Sequence, residues 1–225
     1  MKVNWNSWTN RKVEAPEKFI DFEQKVVDGF GIRGNGRSYG DACLNNRLIS
    51  MLKHRNTLQI ENGILTASSG VLLNEALEKC VQKGYFIPVI PGTQFVTIGG
   101  MIAADVHGKN HTKNGTIGRW ILSFQLLLPS GDVLLCSSTE NKALFNATIG
   151  GMGLTGILLE AKIQLETLQG TRLNQHCSAP KSLKKLLDEL KADENDFSVG
   201  WMDCLNAIRF LLFSANFDGN CSSKE

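Results

Sequence analysis

Between Pro91 and Gly118 the chain reads Pro-Gly-Thr-Gln-Phe-Val-Thr-Ile-Gly-Gly-Met-Ile-Ala-Ala-Asp-Val-His-Gly-Lys-Asn-His before running on to Gly118. The stretch is dense in glycine and small residues and nearly uncharged until its end. Glycine adopts positive φ and lets backbone approach a ligand closely, so such a run can offer main-chain N–H groups to something large and anionic. His107, Lys109 and His111 place ionisable side chains beside that backbone. The same composition also serves ordinary turns between strands, so the rest of the chain has to decide between the two.

A chain of 225 residues can bury a substantial core in one large or two small domains. Its 42% hydrophobic and 20% charged content is that of a globular protein, and a net charge of +2 without Lys or Arg runs gives no nucleic-acid footprint. The N-terminus has no apolar leader and no later segment is long and apolar enough to span a bilayer, so the sequence predicts a cytoplasmic protein without a membrane span. Cys43, Cys80, Cys136, Cys177, Cys204 and Cys221 are widely scattered with no C-x-x-C pair. That spacing predicts buried apolar fillers and neither disulfides nor zinc.

Periodicity indicates an α+β fold. Residues 16–28, with Phe19, Phe22 and Val26 at three- and four-residue spacing, predict an amphipathic helix, and residues 29–32 a short strand. Residues 57–61 and 64–68 predict a hairpin around Asn62-Gly63. A helix over 72–83 stops at Gly84, and residues 86–89 return as a strand. Strands are predicted over 120–128, 133–137 and 157–165, with a short helix over 140–147. Residues 167–180 are polar and aperiodic and predict a domain boundary, followed by a helix over 182–192 and strands over 197–204 and 207–217.

Gly151-Met-Gly153-Leu-Thr-Gly156 matches the dinucleotide pattern G-x-G-x-x-G, but it follows a helical segment and opens a strand, the reverse of a Rossmann loop. No P-loop and no G-x-S-x-G elbow accompanies the serines Ser38, Ser68 and Ser69. His107 and His111 have helical metal-ligand spacing, but Gly108 and Asn110 oppose a helix there and Asp105 is the only nearby carboxylate, so no metal site is predicted. What remains is three glycine-rich loops, at residues 33–40, 91–108 and 150–156, each adjoining a strand. Three together suit an elongated dinucleotide, whose pyrophosphate needs several N–H donors and whose flat ring needs a wall free of side chains. Arg37 could add charge, Ser38 and Thr93 hydroxyl donors, and Tyr39 an amphipathic ring.

These loops, read as Arg33-Gly-Asn-Gly-Arg-Ser-Tyr-Gly-Asp41, Pro91-Gly-Thr93, Thr97-Ile-Gly-Gly100, Ala104-Asp-Val-His-Gly-Lys-Asn-His111 and Gly150-Gly-Met-Gly-Leu-Thr-Gly156, resemble the FAD-binding domain of vanillyl-alcohol-oxidase-type (PCMH-type) flavoproteins. Within that family the resemblance is to the decaprenylphosphoryl-β-D-ribose 2-oxidase group, and it covers roughly residues 4–166. It implies a two-lobed α+β FAD domain over 1–166 and the start of an incomplete α+β substrate (cap) domain over 167–225. By motif position it assigns to the cofactor Arg33, Gly34, Asn35, Gly36, Arg37, Ser38, Tyr39, Gly40, Asp41, Gly92, Thr93, Thr97, Ile98, Gly99, Gly100, Ala104, Asp105, Val106, His107, Gly151 and Ile157. It makes His107 the catalytic candidate and Lys109 and Trp201 substrate residues.

The implied reaction is oxidation of a sugar or polyol hydroxyl, with hydride passing from the carbinol carbon to flavin N5 while a base takes the hydroxyl proton. Family members usually run to about twice this length, so the resemblance also allows a flavin-binding module without turnover of its own, a partner polypeptide that completes the substrate domain, or the FAD domain of an alditol or aldonolactone oxidase. Asn146 replaces a tryptophan often found before the third glycine loop. Arg37 stands where some relatives carry the histidine bonded covalently to flavin, and arginine cannot form that bond. FAD is therefore expected to be non-covalent. Denaturing the flavin-bound protein should release all of its flavin, and flavin retained on the precipitated polypeptide would overturn this expectation.

Overall fold

A computed structural model describes residues 2–19, 30–205 and 209–219. Four sheets share these residues with a few short helices. The first sheet holds β1 (Lys2–Asn6), β2 (Lys12–Phe19), β3 (Gly31–Arg33) and β4 (Leu48–Ser50) in the order β1-β2-β4-β3, antiparallel for its first pair and parallel for the other two.

The central sheet follows. β5 (Leu58–Glu61) and β6 (Ile64–Ser68) form the hairpin read from sequence, with Asn62 and Gly63 both at positive φ as a primed turn requires. α1 (Leu73–Gln82) buries Leu73, Ala76 and Cys80, and the Glu75 carboxylate accepts the Leu72 N–H at 2.8 Å at its start. Gly84, at φ +76°, ends it. After β7 (Tyr85–Phe86) come α2 (Ile98–Ala103) and α3 (His111–Asn114). β8 (Ile121–Leu127), β9 (Val133–Ser137), α4 (Lys142–Thr148) and β10 (Ile157–Gln164) complete this part, the sheet order being β5-β6-β10-β8-β9, all antiparallel. α1, α2 and α4 contribute to one large core with this sheet, in which the fully buried Phe124 stacks on Phe145 at 5.2 Å.

β11 (Glu166–Thr167) pairs with β7. A last sheet, β12 (Leu173–Ser178), β14 (Phe210–Phe217) and β13 (Phe197–Met202), has β14 in its middle and carries α5 (Leu183–Ala192) on one face, where Leu186, Phe210 and Leu212 are buried together. Ser182 caps α5 by accepting the Lys185 N–H at 3.2 Å. This sheet meets the rest of the protein where the Phe217 ring, itself in edge contact with Phe197 of the same sheet at 5.5 Å, packs edge-on against Phe86 at 5.2 Å, and where the Ser198 N–H donates to the Lys109 carbonyl at 2.8 Å. No helix among the described residues is long and apolar enough to cross a membrane.

Several local readings need correction. Residues 16–19 belong to strand β2, and the remainder of the helix predicted over 16–28 lies outside the described residues. Pro16 sits where β2 leaves its ladder with β1 and enters the one with β4, the place in a strand where a missing N–H is tolerated. The polar stretch 167–180 contains β11 and β12. β12 is an edge strand exposed along nearly its whole length, so no face of it alternates apolar and polar. The strand read over 86–89 shrinks to Tyr85–Phe86, and the 91–118 run contains two short helices. Cys43, Cys80 and Cys136 are buried fillers, but Cys177 and Cys204 are exposed.

Replacing Phe124 by Ala removes the largest fully buried side chain and its stacking partner's contact. Equilibrium urea unfolding should show a loss of about 3–5 kcal/mol.

Candidate functional site

α2 is the framework on which the glycine loops hang. Its first N–H groups are met by the protein: Ile98 donates to the Val71 carbonyl at 2.9 Å, Gly99 to Ser69 at 2.8 Å, and Gly100 to the Thr97 hydroxyl at 3.1 Å. A Cβ on Gly99 would press on Ser69, and Ile98 is fully buried, so both residues seat the helix on the sheet. At its other end the third loop is tied down, with Gly150 N–H donating to Ile102 O at 3.0 Å and Met152 N–H to Ala103 O at 2.8 Å. Asp105 follows at φ +43°, and its carboxylate accepts the Gly118 N–H at 2.9 Å. Side chains rarely adopt such a backbone, so Asp105 is a strained residue held by its neighbours.

The first loop, residues 33–41, closes against the second. Asn35 donates its amide to the Phe95 carbonyl at 2.8 Å, and a Cβ on Gly34 would overlap the Thr97 hydroxyl. Gly36 lies over the Arg33 guanidinium so closely that any side chain there would collide with it, and its φ is +65°. Arg33 points into the protein. It is buried, lies 5.0 Å from the Trp5 ring, and donates to Asn6 O at 2.6 Å and to Cys43 O at 3.2 Å. Burial works against its charge and lowers its pKa, and the nearby Arg37 pushes in the same direction.

Between these loops is a cleft of roughly 370 Å³. Gly34, Asn35, Gly36, Arg37, Ser38, Tyr39, Gly92, Thr93, Thr97, Gly100, Ala104 and Val106, all expected from sequence, lie along it. Arg33, Ile98, Gly99, Asp105, Gly151 and Ile157 do not. Gly151 packs on the Ala147 carbonyl and Ile157 lies in a small core with Ile49, Met51, Leu127 and Leu159. Gly40 and Asp41 end the first loop away from the lining, with Asp41 3.5 Å from Arg11 at the surface. Among the described residues, no backbone N–H of residues 34–41 has a protein acceptor, and the buried Ser38 hydroxyl has no partner either. Gly92 faces open space, with no heavy atom within 4 Å of where its Cβ would be. A row of free N–H donors, an orphaned hydroxyl and a wall free of side chains match the pyrophosphate and flat ring of FAD.

Gly92 also borders a second chamber of roughly 520 Å³ that holds His107, Lys109 and His111 on one side and Leu187, Leu190, Lys191 and Gly200 on the other. A β-bridge to Thr116 fixes the His107 backbone, and its ring stands 5.7 Å from that of His111 in an edge arrangement. His111 Nδ1 is 3.1 Å from the Gly108 carbonyl; a carbonyl only accepts, so Nδ1 carries the proton. Trp201 is half-exposed and lies outside the chamber lining, although its neighbour Gly200 contributes to it. Sequence reasoning missed Trp8 and Met152 in the cleft and Lys191 in the chamber. Lys191 follows Leu187 by four residues on α5, a spacing that puts both on one face, but nothing in the sequence says what that face meets.

The FAD binding domain family matches residues 28–137. Decaprenylphosphoryl-β-D-ribose oxidase of Mycolicibacterium smegmatis is 34% identical over 77% of this chain and 40% of its own length. L-gulonolactone oxidase of Scyliorhinus torazame is 32% identical over 79% of this chain and 40% of its own. D-arabinono-1,4-lactone oxidase of Yarrowia lipolytica is 24% identical over 68% and 28% respectively. The chain thus spans less than half the length of these relatives.

The contact between Gly34 and Thr97 gives a direct test of the loop arrangement. Gly34→Ala should destabilise the protein and weaken FAD binding. Thr97→Ala alone should cost about 1 kcal/mol through loss of the α2 cap. The double variant should bind FAD better than Gly34→Ala, because the overlapping hydroxyl is gone; additive losses in a fluorescence titration would reject the contact.

Proposed function

Because the chain carries an FAD-binding domain of the vanillyl-alcohol-oxidase type, we propose that it is the cofactor-holding part of an oxidoreductase that oxidises a hydroxyl of a sugar or polyol. The observation that carries this reading is Gly92, which stands in the wall of both the FAD cleft and the chamber containing His107 and Lys109. A substrate in that chamber lies next to the cofactor without a side chain between them. FAD, when bound, supplies the acceptor for the two electrons of the alcohol.

The chain's own residues then have distinct tasks. The free N–H groups of residues 34–39 and the Arg37 guanidinium hold the pyrophosphate. His107 orients the substrate hydroxyl and takes its proton, and Lys109 holds an anionic or hydroxyl group. In this reading residues 1–166 form the FAD domain and 167–225 begin a substrate domain that a second polypeptide or further chain completes.

A specific feature favours a lipid-linked sugar over a free lactone. Lys109 also borders a hollow of roughly 520 Å³ lined by Phe86, Ile90, Leu168, Phe197, Phe213 and Phe217, and nothing in a small polar lactone requires so apolar a space. The alternative is a flavin-binding module with no turnover.

Purified protein reconstituted with FAD and kept anaerobic should lose its flavin colour on addition of a polyprenyl-phosphate pentose, and more slowly or not at all with aldonolactones. His107→Ala should slow that bleaching about 100-fold while leaving FAD bound. Bound FAD that no hydroxylated substrate reduces would leave the module reading.

A further inference from the structure

We propose that Trp8 belongs to the cofactor site, carried there by the N-terminal hairpin, and that Trp8, Arg37 and Phe95 clasp the bound flavin nucleotide. This inference rests on the FAD reading of the cleft. It adds a site residue from a part of the chain, before residue 28, that the family match does not cover.

The observation is a pair of tryptophan–arginine stacks between the N-terminal hairpin and the first glycine loop. The inner stack is Trp5 on Arg33 at 5.0 Å, with both side chains buried and Trp5 packed beside Leu48. It has an evident structural purpose, since it braces the loop from beneath. The outer stack is Trp8 on Arg37 at 5.3 Å, and Phe95 from the second loop lies 5.6 Å from the same guanidinium. Here the rings are 52% and 44% exposed and belong to no buried cluster, and Trp8 lines the cleft. An exposed tryptophan on a tight turn gains little for folding, but beside a guanidinium it is a good surface for a planar, anionic ligand. The turn is tied in place by the Trp8 N–H, which donates to the Ser38 carbonyl at 3.2 Å, so Trp8 stays with the loop whose N–H groups are free. Trp8, Arg37 and Phe95 thus come from three chain segments and meet at the Arg37 guanidinium, which with Trp8 lines the cleft.

The test is a titration of the full 225-residue protein with FAD, followed by flavin fluorescence, for wild type, Trp8→Ala and Trp8→Phe. Trp8→Ala should weaken binding about tenfold, and Trp8→Phe, which keeps a ring, should recover most of that loss. Hydrogen exchange on the wild type should show residues 4–11 protected when FAD is added. If wild type binds FAD and Trp8→Ala binds it equally well, the clasp is wrong and the cofactor reading stands. If Trp8→Ala fails to fold by circular dichroism, the exchange measurement decides, and unchanged exchange at residues 4–11 overturns the proposal. If wild type itself does not bind FAD, the cofactor reading falls and the clasp with it.

Discussion

The N-terminus of α2 would ordinarily be the first place to look for an anion site, because the leading N–H groups of a helix have no partner inside it. Here those donors are consumed by the fold itself. Val71, Ser69 and the Thr97 hydroxyl accept from Ile98, Gly99 and Gly100, which locks the helix onto the strand-to-helix connection after β6. The last carbonyls of the same helix receive Gly150 and Met152 from the third loop. With α2 saturated at both ends it acts as a mount, and the N–H groups without an acceptor among the described residues are those of the first loop. The glycines divide accordingly: Gly34 and Gly99 are required by close packing, whereas Gly92 leaves space open at the site.

Charge reinforces that division. Arg33 is buried with no carboxylate partner among the described residues; carbonyls of Asn6 and Cys43 and the Trp5 ring offset its desolvation. Arg37 is near enough to depress the Arg33 pKa further, which means that the two guanidiniums repel each other across the loop. The loop's own carboxylate, Asp41, is turned outward to Arg11. On the proposed reading, a diphosphate held by this loop would offset the like charges of the two guanidiniums.

Local signals were legible in the sequence wherever a single segment carries its own reason for its shape. The Asn62-Gly63 turn, the α1 face of Leu73, Ala76 and Cys80, and the glycine loops are of that kind. What could not be read depends on partners distant in the chain. Residues 16–19 are strand because β1 and β4 flank β2, a pairing that nothing in those four residues announces. β12 carries no pattern because it is an exposed edge. Arg33 looked like a phosphate ligand by its place in the motif, and only the packing of Trp5 and Cys43 turns it inward. Trp8 had no signal beyond being an aromatic residue in a polar N-terminus.

The chamber wall built by α5 and β13 is held differently from the cradle. Among the described residues its links to the rest include the Ser198-to-Lys109 backbone bond, the Phe86–Phe217 edge contact and the half-exposed Lys113–Asp196 pair, and the last of these contributes little in water. The cradle, by contrast, is fixed by interlocking glycines and a saturated helix that tolerate no displacement. A substitution in α5 can therefore reshape the chamber around His107 and Lys109 without loosening the cofactor loops. The backbone bond also ends on Lys109 itself, so a shift of β13 moves the one cation shared by the chamber and the apolar hollow. On the proposed reading, substrate choice and cofactor retention would be separable properties of the fold, meeting at Gly92, which borders both the cleft and the chamber, and at Lys109, which borders the chamber and the apolar hollow.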